Sequence, residues 1–100
     1  MDIIEKEFLE KAIRRNNLFL YNKEDALAVI ERCKQYHIWI LGIDSFVIRG
    51  DYIQPFLEYS SDYSDLAKNN NVWKIASNFI ADMIKKNSEL IFEIVYSIDS

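Results

Sequence analysis

The sequence predicts an α+β domain in the order ααββαβ: two N-terminal helices, a β-hairpin, a third helix and a C-terminal strand. Three observations carry this. Apolar residues recur at helical spacing in three segments, and β-branched and aromatic residues crowd into three others. The glycine-bearing turn Arg49-Gly50-Asp51 joins two of the latter, which makes that pair antiparallel. The expected sheet is three-stranded and mainly antiparallel, with the helices on one face. One hundred residues, half of them hydrophobic, form a single domain over residues 1–100. Two glycines and one proline exclude collagen-like and low-complexity chains.

The first helix is expected over Asp2–Arg15, where Ile4, Phe8, Leu9, Ala12 and Ile13 share a face. Its acids come early and its bases late, which suits the helix dipole. Asn16-Asn17 ends it, and Leu18–Tyr21 is a short apolar link that packs. Asn22 reads as the N-cap of a second helix, whose stripe is Ala26, Leu27, Val29, Ile30 and Cys33 and whose end is Tyr36-His37. Ile38–Ile48 reads as a strand apolar on both faces, hence central, with Gly42 marking a bulge or a close backbone approach. The assigned faces are Ile38, Ile40, Phe46 and Ile48 against Trp39, Leu41, Ile43 and Val47. Tyr52–Tyr59 returns as a strand that Pro55 confines to an edge.

Ser60–Asn71 is polar and turn-rich apart from Tyr63, Leu66 and Ala67. Asn71 reads as the cap of a third helix with Val72, Ile75, Ala76, Phe79, Ile80 and Met83 inward and Lys85-Lys86 at its end. Leu90–Ile98 is the last strand, expected beside the first.

The residue inventory excludes most enzyme chemistry. His37 is the only histidine and Cys33 the only cysteine, so neither a two-histidine metal site nor an internal disulfide can form. Cys33 reads as a buried structural thiol. Gly42 and Gly50 cannot supply GxGxxG or a P-loop. What survives is carboxylate chemistry, with Asp44, inside an apolar strand, as its candidate. The competing reading of Asp44 is a structural carboxylate that emerges at a bulge. Asp62–Asp65 lacks the glycine and terminal glutamate of an EF-hand loop. No metal and no cofactor are expected. The apolar run His37–Ile43 is too short to span a bilayer, and the charged start, Met1 to Lys11, does not read as a secretory signal. A cytoplasmic protein is expected.

Charge is distributed unevenly. Twelve basic and sixteen acidic residues give a net charge of −4. Gly50–Leu66 alone carries −4, with Asp51, Glu58, Asp62 and Asp65 and no lysine or arginine, so the remainder is neutral. Tyr52, Phe56, Tyr59 and Tyr63 are interleaved with these acids. Aromatics suit interface cores and flanking acids steer a basic partner, so Asp51, Tyr52, Glu58, Tyr59, Asp62, Tyr63 and Asp65 form the expected partner-binding surface. The alternative for the same stretch is a solvated edge strand and loop.

Asn22–Ile30, followed by Ile38-Trp-Ile-Leu-Gly-Ile-Asp44-Ser-Phe-Val-Ile48 and a hairpin, resembles small immunity proteins of bacterial polymorphic and contact-dependent toxin systems. The resemblance covers about Asn22 to Tyr59. It implies a cytoplasmic, non-enzymatic antitoxin that binds one cognate toxin C-terminal domain, often a basic nuclease, without contacting nucleic acid or membrane itself, and is a monomer or weak dimer alone. Two other readings are a homodimerising adaptor module and a small enzyme acting through Asp44.

Overall fold

Three helices and strands in two sheets build the chain, and the computed structural model describes residues 1–66 and 69–98. The elements are α1 (Ile3–Glu7), β1 (Ile13–Arg15), β2 (Leu18–Leu20), α2 (Lys23–Gln35), β3 (Trp39–Arg49), β4 (Tyr52–Pro55), β5 (Ser61–Asp62), α3 (Val72–Lys86) and β6 (Ile91–Ser97). Single turns of 3-10 helix occupy Leu57–Tyr59 and Ser64–Leu66. The fold is α+β, but its layout corrects the three-stranded ααββαβ expectation. One sheet has four strands, and a separate hairpin makes a second.

That hairpin lies where a long first helix is expected. Asp2 starts α1 with a full capping box: its carboxylate accepts from the Glu5 N–H while Glu5 accepts from the Asp2 N–H. The helix nevertheless stops at Glu7. Asn16 and Asn17 both have positive φ, 50° and 65°, which asparagine tolerates better than most residues. With both central residues of that hand, they close a two-residue hairpin between Arg15 and Leu18. The chain therefore reverses there, and Leu18–Leu20 is a strand instead of a link.

Asn22 caps α2 as expected, accepting from the Asp25 N–H. The other end is a Schellman motif. Ile38 N–H reaches the Cys33 carbonyl and His37 N–H that of Lys34, while His37 takes φ 59°. The His37 ring lies edge-on to Trp39, which stacks on Trp73 with centroids 4.9 Å apart. Trp73 donates its indole N–H to the Ile38 carbonyl, so this aromatic group fastens α3 to the entry of β3.

β3 is the central strand. It pairs antiparallel with β6 along one edge, and with β4 and then β5 along the other. Gly50 (φ 59°) and Asp51 make the two-residue turn into β4, which ends at Pro55 instead of continuing to Tyr59. The sheet gains a further bond where Tyr21, just after β2, exchanges both backbone hydrogen bonds with Phe92.

A bulge in β3 rearranges its faces. The register against β6 shifts between Ile40 and Gly42, leaving Leu41 as the extra residue. Ile38, Ile40, Ile43 and Val47 consequently join the main core with α2 and α3, while Phe46 packs with Leu20 and Ile91 against the β1–β2 hairpin. The two halves of the strand thus exchange faces relative to simple alternation. Gly42 also provides the expected close approach: a Cβ there would sit 3.0 Å from the Ser61 carbonyl oxygen.

Asn71 occupies the start of α3 but makes no side-chain cap; Asn69 instead accepts from the Asn71 N–H. Ala67 lies outside the described residues. Cys33 is fully buried, and burial pushes its thiol up to about 12, which makes it an inert packing group. Among the described residues no helix is long and apolar enough to cross a membrane.

The left-handed cap predicts a residue-specific cost. His37→Val should lower unfolding free energy by about 1–2 kcal/mol, because a β-branched side chain resists positive φ and the ring contacts are lost. His37→Gly should lose less. Chemical denaturation of both variants measures the difference.

Candidate functional site

Between β4 and β5 the chain leaves β3, arches outward and returns. A serine network, anchored on the buried Ser45, holds the two feet of this arch. Ser45, fully buried in β3, donates its hydroxyl to the Tyr59 carbonyl, and its N–H reaches the Ser60 hydroxyl at 3.0 Å. Ser60 in turn donates to the Phe56 carbonyl at 2.9 Å, and the Phe56 N–H closes the circuit on the Ser45 carbonyl at 2.9 Å. A serine in a central strand is affordable because its polar atoms are satisfied there. Phe56 and Tyr59 lay their rings inward on the main core.

The arch presents Leu57 to solvent, 85 % exposed, beside the exposed Glu58. An apolar residue this exposed on a tethered arch is poor packing and good contact surface. At the hairpin tip Tyr52 is 64 % exposed, next to exposed Asp51. Asp62 and Asp65 are exposed at and just beyond β5. Asp62 accepts from both the hydroxyl and the N–H of Ser64, which hold its carboxyl below the usual range.

The structure thus brings most of the expected surface to one edge of the sheet, with one exception. Tyr63 is only 4 % exposed and packs edge-on to Phe79 of α3. Its hydroxyl finds no hydrogen-bond partner among the described residues, and burial raises its pKa despite a small opposing effect of Ser61. It is a core residue that anchors the segment after β5. Tyr59 is half-buried and shows only part of its ring. The remaining members spread widely, because Gly42 and Arg49, opposite Asp62 and Tyr52, lie about 23 Å apart along β3.

A second acidic feature lies on the sheet face away from the helices. Asp44 and Glu93 stand directly opposite each other on β3 and β6. Facing residues in an antiparallel pair hold their Cβ atoms about 5 Å apart, and like charges there repel. The bulge explains the position of Asp44: without it, this carboxylate would share the helix face with Ile40. Burial raises the Glu93 pKa, and Asp44 raises it further through its charge and through the hydrogen bond that a protonated Glu93 makes to it. A hollow beside Asp44 is lined by Leu41, Gly42, Ser61, Asp62, Ser64 and Val95. Sequence reasoning singled out Asp44 and missed Glu93; the signal was that both are acids at corresponding positions in strands expected to be neighbours. Among the described residues no group of three or more acidic, histidine or cysteine side chains is arranged to hold a metal ion.

No family model matches the sequence, and neither a curated protein nor a solved structure matches it.

Ser45→Ala should destabilise by about 1–2 kcal/mol, since it removes the hydroxyl that pairs the part-buried Tyr59 carbonyl; thermal unfolding checks this. Glu93→Gln should act in the opposite sense. A carboxyl whose pKa is raised on folding weakens the fold once pH exceeds the unfolded value near 4.5. The glutamine variant should therefore be more stable at neutral pH, by up to about 1 kcal/mol. That gain should vanish below about pH 4 in melts taken across the range.

Proposed function

We propose that the chain is a non-enzymatic immunity protein, an antitoxin that neutralises a basic toxin domain, with a nuclease as the leading candidate. It acts in the cytoplasm by stable protein–protein binding. The observation that supports this reading most is the combination of Leu57 and Tyr52, both strongly exposed, with Asp51, Glu58, Asp62 and Asp65 along one sheet edge. Apolar anchors supply desolvated contact area, while the acids accelerate encounter with a basic cleft and set which partners are rejected. The serine network supports it too, because an arch held by part-buried hydrogen bonds to β3 loses little conformational freedom on binding.

The binding surface differs from the sequence expectation by one exchange of roles. Leu57 takes the apolar position assigned to Tyr63, which the core has claimed. A nuclease must be basic around its substrate, so an acidic arch can cover that region without any chemistry of its own.

The test pairs the protein with the C-terminal domain of the toxin encoded beside it. Reversing Glu58, Asp62 and Asp65 together should slow association by about tenfold or more at low salt and flatten its salt dependence. Leu57→Ala should mainly quicken dissociation. Failure of the neighbouring domain to bind the unmodified protein rejects the immunity reading. Binding with an unchanged association rate in the charge-reversed variant rejects only the acidic surface.

A further inference from the structure

The opposite edge of the sheet is open, and its opening has a defined chemistry. Phe92 exchanges both of its backbone hydrogen bonds with Tyr21, so its N–H and C=O point away from β3. Strand alternation turns the N–H and C=O of Ile94 and Tyr96 the same way. Had β2 continued beside β6, Phe19 would face Ile94 and Asn17 would face Tyr96. Instead β2 pairs with β1, and among the described residues its only bridge to β6 is the one at Tyr21 and Phe92. Among the described residues the outward backbone groups of Ile94 and Tyr96 have no partner within the chain. They front a cleft of about 230 Å³ whose far wall includes Leu18 and Phe19.

The side chains around this cleft add a sign. Asp2, Glu5 and Glu93 line it, and no lysine or arginine does. The Asp2 carboxylate is fixed by the Tyr96 hydroxyl, which donates at 2.8 and 3.0 Å to its two oxygens, and by the Glu5 N–H. Glu5 is fixed through the Asp2 N–H. These bonds orient both carboxylates without neutralising either one. Two copies of this chain joined β6 to β6 would bring both sets of acids together, which disfavours self-pairing.

We propose that the Ile94–Tyr96 edge of β6 is a docking site for an extended, lysine- or arginine-bearing segment of a protein partner, which adds to the sheet as a strand. Main-chain hydrogen bonds to Ile94 and Tyr96 hold the segment, and its cationic side chains meet Asp2, Glu5 and Glu93. The site lies across β3 and β6 from the arch, so it is separate from the surface assigned above and does not depend on the immunity reading.

The experiment uses the full isotope-labelled chain and a short blocked lysine–valine peptide whose lysines fall on both faces of the extended chain, since Asp2 and Glu5 lie on the helix side of β6 and Glu93 on the other. The peptide should shift the amide resonances of Ile94 and Tyr96 and slow their hydrogen exchange, which in the free protein should be faster than that of Phe92. Methylating alternate peptide nitrogens should weaken binding by about tenfold or more, because two main-chain hydrogen bonds are lost. Glutamate in place of lysine should abolish binding, and Glu93→Gln or added salt should weaken it about threefold. The proposal is overturned by unmoved Ile94 and Tyr96 amides at millimolar peptide. It is equally overturned by undiminished binding of the methylated or glutamate peptide. Protection of both amides through dimerisation, seen by sedimentation, would assign the edge to a second copy instead.

Discussion

The extra residue in β3 is the constraint on which the other features rest. One strand supplies every long pairing in the main sheet, so a single change of alternation within it decides what each face can hold. Before the bulge, Ile38 and Ile40 lie under the helices; after it, Ile43, Ser45 and Val47 do. Ser45 is thereby placed where its hydroxyl can fasten the arch, and Asp44 is carried out of the core to face Glu93. Removing the bulge would bury a carboxylate and expose the arch's anchor, two faults that each cost more than the ladder bond a bulge sacrifices. Gly42, next to the extra residue, lets the β5 backbone close on this point from the other edge.

The sequence carried α2, β3 and its turn into β4, α3 and β6 because their signals are local, while β5 gave no such signal and β4 stops at Pro55, short of Tyr59. Asn22 has a capping side chain, α3 has an apolar stripe from which only Ile75, expected inward, turns out to solvent, and β3 and β6 are crowded with β-branched residues. The N-terminal third misled because Ile4, Phe8, Ala12 and Ile13 satisfy helical spacing while belonging to two elements. The decisive signal was Asn16-Asn17, which reads equally well as a helix end and as a hairpin turn. Only packing separates the two: Leu20 must reach Phe46 and Ile91 on the far face while Tyr21 reaches the main core. Tyr63 was misplaced for a related reason. Composition marks an acidic, aromatic segment, but which tyrosines turn inward depends on the β5 register.

The acidic character is better resolved in three dimensions than as a net charge. Most of the excess between Gly50 and Leu66 lies along the β4–β5 edge, yet Asp2, Glu5 and Glu93 line one cleft at the β6 edge and Asp44 faces Glu93 from β3, all from segments that are individually near neutral. A neutral remainder in sequence is therefore not a neutral remainder in space. Cations sit elsewhere: Arg32 bonds Glu7 at 2.8 Å between α2 and α1, and Arg14 lies 4.0 Å over the Phe19 ring. The first contact ties α1 to α2 and the second lies within the β1–β2 hairpin; among the described residues neither Asp44 nor Glu93 forms an ion pair with a base.

An open sheet needs a means of refusing the wrong partner at each edge. On the β4 side, Pro55 ends the strand and the arch steps away from the plane, so no long ladder is offered. On the β6 side the ladder is offered, because the outward backbone groups of Ile94 and Tyr96 have no partner among the described residues, and refusal rests on charge. Charge differs from proline in being selective: it repels an identical edge while attracting a segment of opposite sign. The Asp44–Glu93 pair sharpens this. Its internal repulsion is a cost that the folded chain carries when both carboxyls are charged, and a cation approaching Glu93 would relieve it. Destabilisation stored in that pair is thus convertible into affinity for a basic segment, which gives the unfavourable cross-strand placement a physical use.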